Sequence, residues 1–288
     1  MGTENKGKNK DDKVGFGTLL LWNSRAVSTS IVTLMLAFLM IYCTDTLQVP
    51  AGYVSIILVA SKLLDGVTDM CAGFIVDKTK TKWGKARPYE LFIIAIWVCT
   101  WLLFSTPESM SLTAKLVWIF VMYALANSIC YTFLNANNTP YMVRAFKSGQ
   151  IVKLTSYGSI ITMLAAVIFN MTFPALMAKI ATSASGWSRL VLLFAVPLMA
   201  IGTLRMLFCP EKYDVDAEAK NAEPLKVTDV FKLIKTNKFI LIIALMTFVF
   251  NFVCNMGVQT YYYTYIVGNV ALMGISAIAQ IVALPLAQ

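Results

Sequence analysis

Between Leu58 and Pro88 the chain reads LVASKLLDGVTDMCAGFIVDKTKTKWGKARP, and three ionisable residues, Lys62, Asp65 and Asp69, stand inside its apolar first half. A helix turns 100° per residue, so positions i, i+3, i+4 and i+7 share a face, and Lys62, Asp65, Gly66 and Asp69 form one polar stripe. The run around them is long enough to cross a bilayer, yet each such charge at the bilayer centre costs roughly 2.5–3.5 kcal/mol. Residues of this kind face a bundle interior or a water-filled path, which makes the expected fold a bundle of membrane helices with the stripe turned inward.

Two carboxylates outnumber one ammonium, so the stripe sums to minus one when all three groups are ionised. A bound monovalent cation, or a proton on one Asp, brings the sum to zero. A neutral site is occluded in a low-dielectric interior far more cheaply than a charged one, which gives cation occupancy a physical reason to license movement. The plainer alternative is a structural ion pair, Lys62 with Asp65 or Asp69, bracing two helices.

Composition agrees with a membrane protein: 58% of residues are hydrophobic and only 14% charged. Histidine is absent, which removes imidazole metal sites, haem ligation and His-based acid–base catalysis. The six cysteines, at 43, 71, 99, 130, 209 and 254, stand singly, without metal-ligand spacing, and read as small apolar packing residues. No nucleophile elbow, phosphate-binding loop or metal cluster points to an enzyme, and no cofactor is expected beyond a coupling ion.

Eight membrane spans are expected: Gly15–Cys43, Pro50–Val76, Tyr89–Phe104, Leu116–Val143, Leu154–Met177, Trp187–Leu207, Phe239–Ile266 and Val270–Leu286. Residues 1–14 form a polar tail, expected to be disordered and retained. Residues 15–208 would be a six-helix bundle, residues 209–238 a cytoplasmic linker and residues 239–288 two further helices. Within the linker, Leu225, Val230, Phe231 and Leu233 alternate with lysines as in a surface-lying amphipathic helix. Lys and Arg crowd the tail and alternate connections, so the N-terminus is expected in the cytoplasm; the plasma membrane is the expected location. The net charge of +9 is thus topological and calls for no nucleic acid; the partners expected are the lipid bilayer and a small-molecule solute.

GFIVDKTKTKWGKARP resembles the loop between the second and third helices of the major facilitator superfamily, with Gly73, Asp77, Lys78, Gly84, Lys85 and Arg87 filling the pattern. KLLDGVTD upstream of it, Thr44-Asp45 closing the first span and YYYTYIVGN in the seventh are similar to the glycoside-pentoside-hexuronide:cation symporters of melibiose-permease type. That resemblance implies an all-α membrane fold of two six-helix bundles rocking around a central site and moving a carbohydrate-like solute with Na⁺ or H⁺. This chain would hold the N-terminal bundle and the first two helices of the second, a C-terminally incomplete fold. A receptor or a non-transporting remnant is the alternative.

The resemblance also implies residue roles. Asp65 and Asp69 fall on the family's cation-site carboxylates, Thr68 beside them, and Lys62 on a basic position that partners their charge. In the fourth span Thr132 and Asn135 fall on the remaining cation positions, with Asn138 taking that place in a second register. Thr29 falls on a sugar-contacting position of the first span, and Gly158 where an arginine is expected. Thr29 and Asp65 would lie at one depth, about 21–23 Å from the same membrane face. Trp22 and Arg25 could contact a sugar or a hexuronate carboxylate, although an arginine near a span end also snorkels to the interface. Asp77 would hold the cytoplasmic gate by sitting against a helix end or a basic group.

Overall fold

The structure, a computed structural model, describes residues 14–79, 81–213, 236, 237, 239, 241–243, 245, 246, 249, 261–269 and 272. The tail, the amphipathic segment of the linker and most of the seventh and eighth spans lie outside the described residues. Within residues 14–213 the chain makes six helical runs: α1 Phe16–Thr46, α2 Ala51–Lys78, α3 Phe92–Leu103, α4 Leu112–Ala145, α5 Ser148–Ile180 and α6 Ala184–Phe208. They follow the first six expected spans in order.

Four of the six (α1, α4, α5 and α6) are long and apolar enough to cross a membrane. Helix α2 is long enough at 28 residues, but its polar stripe interrupts it. The α-helical part of α3 is only 12 residues and is entered through a 3₁₀ turn, Arg87–Leu91, with a proline in its first turn. Hydrogen bonding carries most helices beyond their apolar stretches. Thus α5 starts six residues before the expected Leu154, with the Gln150 side chain accepting from the Lys147 backbone N–H. Ser111 and Ser183 fix the starts of α4 and α6 by accepting from the N–H groups of Ala114 and Gly186. Pro140, Pro174 and Pro197 sit inside α4, α5 and α6, as transmembrane helices tolerate when neighbours satisfy the freed carbonyls.

Helix α1 is the hub, packed along α5 and α6, while α2 lies along α4, and α3 wedges between α6 and the middle of α4. The α1–α5 crossing explains why Gly158 stands where the resemblance leads one to expect arginine. A Cβ there would fall 2.2 Å from Asn23 Oδ1, so only glycine lets the helices approach. Toward the Asp45 end of α1, Phe38, Tyr42, Phe104, Phe173 and Trp187 interlock with ring centroids 4.7–6.5 Å apart. Three of the five described cysteines, Cys43, Cys130 and Cys209, pack in the interior as expected, and Cys71 is exposed.

Helix α4 departs from regular geometry at Ala124–Tyr131, an eight-residue π-helical stretch. Its i→i+5 closure brings residues five apart onto one face, a device found often at functional sites. The site below depends on it.

Candidate functional site

Asp65 and Asp69 project from one face of α2 as their spacing requires, and α4 presents Asn127 and Thr132 to them. These two are five residues apart and share a face because of the π stretch. Asn127 Nδ2 donates to Asp65 Oδ2 at 3.0 Å, and Thr132 Oγ1 donates to Asp69 Oδ1 at 2.9 Å. One turn along, the hydroxyls of Ser61 and Ser128 meet at 3.0 Å and fix the register of the two helices. Lys62 Nζ reaches Asp65 Oδ2 at 2.9 Å, so the ion pair lies within α2; the hydrogen bonds from α4 do the bracing between helices. Asp65 Oδ1 is buried without a hydrogen-bond partner, and Asp69 is exposed. With Lys62 offsetting Asp65, the formal charge of the stripe is minus one, and the remaining negative charge stands beside Thr132.

The remaining cation-site expectations fare differently. Thr68 donates to the carbonyls of Leu64 and Asp65 in its own helix. Asn135 is exposed, and Asn138 accepts from two arginines elsewhere. Neither asparagine, in either register, meets Asp65 or Asp69 among the described residues. Asn127 is the asparagine that reaches the site, as an interhelical hydrogen-bond partner of Asp65.

A second polar cluster lies toward the opposite end of α1 from Asp45. Glu90, fully buried at 0% exposure, lies between Arg25 of α1 and Arg205 of α6, each 3.6 Å from Oε2, and accepts from Asn137 Nδ2 at 3.0 Å on Oε1. Arg25 and Arg205 also donate to one oxygen, Asn138 Oδ1, at 2.6 and 2.9 Å. The Arg205 guanidinium lies 3.6 Å over the Trp22 ring and 4.7 Å from that of Tyr141. Arg25 therefore does not snorkel: only 3% exposed, it turns inward because Glu90 offers it a partner. Trp22 and Arg25, expected at a solute site, are packed into this cluster, and Thr29 donates to the Arg25 and Ala26 carbonyls of its own helix. Sequence reasoning missed Glu90 and Arg205, although Arg205 is a charge inside an apolar span, the same signal that marked α2.

The basic loop between α2 and α3 is held by another missed residue. The Glu211 carboxylate, just past α6, accepts from three successive backbone N–H groups, those of Lys85, Ala86 and Arg87, at 3.2, 2.8 and 3.0 Å. The Arg87 guanidinium donates to the Met206 carbonyl in the last turn of α6 at 2.7 and 3.1 Å. Gly84 makes the approach possible: its φ is +111°, and a Cβ would meet Glu211 Oε1 at 2.3 Å. Asp77, expected against a helix end or a basic group, is exposed and has no such partner among the described residues, and no atom lies within 4 Å of a Cβ built at Gly73. The carboxylate that anchors this loop is Glu211.

A bundle of membrane helices carrying ionisable groups within its apolar spans has the architecture expected of a solute carrier. The chain belongs to the family described as MFS/sugar transport protein, whose profile matches residues 25–288, and its relatives place it with the glycoside-pentoside-hexuronide:cation symporters of the major facilitator superfamily. It is 28% identical over 266 residues to the isoprimeverose transporter of Lactiplantibacillus pentosus, an alignment covering 88% of this chain and 53% of that protein. To the inner membrane symporter YicJ of Escherichia coli it is 28% identical over 170 residues, 56% of this chain and 35% of the relative. The sodium-dependent lysophosphatidylcholine symporter 1 of Xenopus tropicalis is 33% identical over 97 residues, 33% of this chain and 18% of that protein. The chain thus spans about half, or less, of the length of these relatives.

Proposed function

We propose that the chain forms the N-terminal six-helix bundle and the first two helices of the second bundle of a secondary active transporter. It would carry a sugar, glycoside or hexuronide together with Na⁺ or H⁺ across the plasma membrane, with its N-terminus in the cytoplasm. The observation that carries this reading is the pairing of Asp65 and Asp69 with Asn127 and Thr132. The arrangement leaves one carboxylate oxygen buried without a partner and one negative charge uncompensated. A cation or proton there neutralises the stripe, so that the helices can close over it. The names of the relatives support both the coupling ion and the class of solute: an isoprimeverose transporter and a sodium-dependent symporter are among them.

Solute uptake by the full-length reading frame, measured across a panel of sugars with and without sodium and across a pH gradient, tests the reading. Stimulation by sodium or protons should be present in the parent and absent from Asp65→Asn and Asp69→Asn. Accumulation against a gradient at the parental rate in both variants would remove the coupling role.

A further inference from the structure

The Asp45 end of α1 closes on a π turn, Tyr42–Thr46, and the described part of the seventh span contains another, Tyr262–Ile266. The two meet. Tyr265 donates from its hydroxyl to Asp45 Oδ2 at 2.6 Å, and the Tyr261 hydroxyl lies 2.7 Å from Thr44 Oγ1. Thr44 Oγ1 is in turn 2.7 Å from Asp45 Oδ1. Thr44 has one proton to give, and between the Met40 carbonyl at 3.0 Å and the Asp45 carboxylate at 2.7 Å the carboxylate is the nearer and the stronger acceptor. The hydrogen bonds therefore run from Tyr261 to Thr44 to Asp45 on one oxygen and from Tyr265 to Asp45 on the other. Both links end on one carboxylate, and each polarises the next. The Tyr261 and Tyr265 rings lie 5.1 Å apart and stand over a cleft of about 410 Å³ lined also by Gln48 and Val49. Gln48, at φ +57°, donates from its side chain to the Asp45 carbonyl and holds the turn in place.

We infer that Asp45 is a latch: through Tyr265 directly and Tyr261 by way of Thr44, it ties the end of the first helix to the seventh and keeps the solute path shut on that face. The inference rests on the transporter reading, in which the two bundles part on each face in turn, so these bonds must break once per cycle. Asp45 is a positioning residue here. It touches neither Asp65 nor Asp69 and acts by setting how often the Asp45 face opens.

The test is made on the full-length protein in right-side-out vesicles carrying Gly66→Cys as reporter. Position 66 lies on the stripe, and a Cβ there has no atom within 4 Å, so the new thiol is accommodated. A membrane-impermeant maleimide is applied from the Asp45 side and labelling above the Gly66 parent is timed. Asp45→Ala and Tyr265→Phe should each speed labelling about tenfold, the factor that corresponds to ~1.4 kcal/mol. The double variant should be no faster than Asp45→Ala alone, because the Tyr265 bond has no other acceptor in the latch. Tyr262→Phe, which removes a hydroxyl that takes no part in the latch, should leave the rate unchanged. Unchanged labelling in Asp45→Ala and Tyr265→Phe, or additive effects in the double variant, overturns the latch. Uptake by the Gly66 parent in matched vesicles without the reporter cysteine separates this from the transporter reading: a Gly66 parent that transports while labelling of the latch variants stays flat sinks the latch alone, whereas one that never transports sinks the transporter.

Discussion

Asp69 and Glu90 are both carboxylates carried on the helices of one bundle, and they are held in opposite ways. Asp69 is exposed and receives a single hydrogen bond, from Thr132. Glu90 has no exposed surface, stands between two guanidiniums and is bonded by Asn137. The difference separates two uses of a charge in a membrane protein. A group that must take up and release an ion has to be under-coordinated and reachable in some state of the cycle. A group that keeps helices together is stabilised by being enclosed, since every partner it already has is one that water need not supply.

The sharpest way to break this comparison is to neutralise each acid in turn. Glu90→Gln leaves Arg25 and Arg205 buried with no anion between them, and breaking a buried pair in this way costs roughly 3–5 kcal/mol. Thermal unfolding of the full-length protein in detergent should show a large drop in midpoint. Asp69→Asn should leave the midpoint in ion-free buffer close to the parent's and abolish the rise that the coupling ion produces. Equal losses in ion-free buffer would erase the distinction between binding group and scaffold.

The same two regions show what could be read in the sequence. The stripe was legible because its charges lie within two turns of one apolar helix, so periodicity alone puts Lys62, Asp65 and Asp69 on one face. Thr132 was reachable through the family resemblance. Asn127 as the partner of Asp65 was not, because its orientation depends on the π stretch of α4, and nothing in ALANSICY announces a change of helical period. The Glu90 cluster draws on positions 25, 90, 137, 138 and 205, and local pattern cannot join residues that only tertiary packing brings together. Arg25 shows the cost: near a span end, snorkelling is a sound reading until the partner across the bundle is known. The six helices themselves, set by long apolar runs, followed closely from sequence. Their ends shifted by up to six residues because caps and backbone hydrogen bonds, rather than hydrophobicity, decide where a helix stops.

Two glycines sharpen the comparison at a smaller scale. Gly84→Ala puts a side chain on a residue at φ +111° and drives its Cβ into the Glu211 carboxylate. The backbone strain alone costs of order 1–3 kcal/mol, and loss of the three N–H bonds to Glu211 should make the loop between α2 and α3 exchange its amide hydrogens faster. Gly66→Ala, on the open stripe, meets no atom within 4 Å. In a helix interior alanine is favoured over glycine by about 1 kcal/mol, so this variant should unfold no earlier than the parent. A destabilised Gly66→Ala would mean that the stripe is more tightly enclosed than its exposure indicates.

The finest discrimination concerns Thr132, where the open site owes one contact to a neutral hydroxyl. Thr132→Val keeps the shape and the β-branch and removes only the donor to Asp69, a change worth about 1 kcal/mol for an ordinary hydrogen bond. If that hydroxyl serves only to brace α4 against α2, both Thr132→Val and Thr132→Ala should lower stability without moving the ion dependence. If it helps surround the coupling ion, the sodium or proton concentration giving half-maximal uptake should rise about fivefold in Thr132→Val, the factor that ~1 kcal/mol implies, and return to the parental value in Thr132→Ser. The serine variant decides between the two, because it restores an oxygen at the same place while packing less well. Recovery of ion affinity without recovery of stability separates a role at the ion site, by contact or through the bond to Asp69, from simple bracing of α4 against α2.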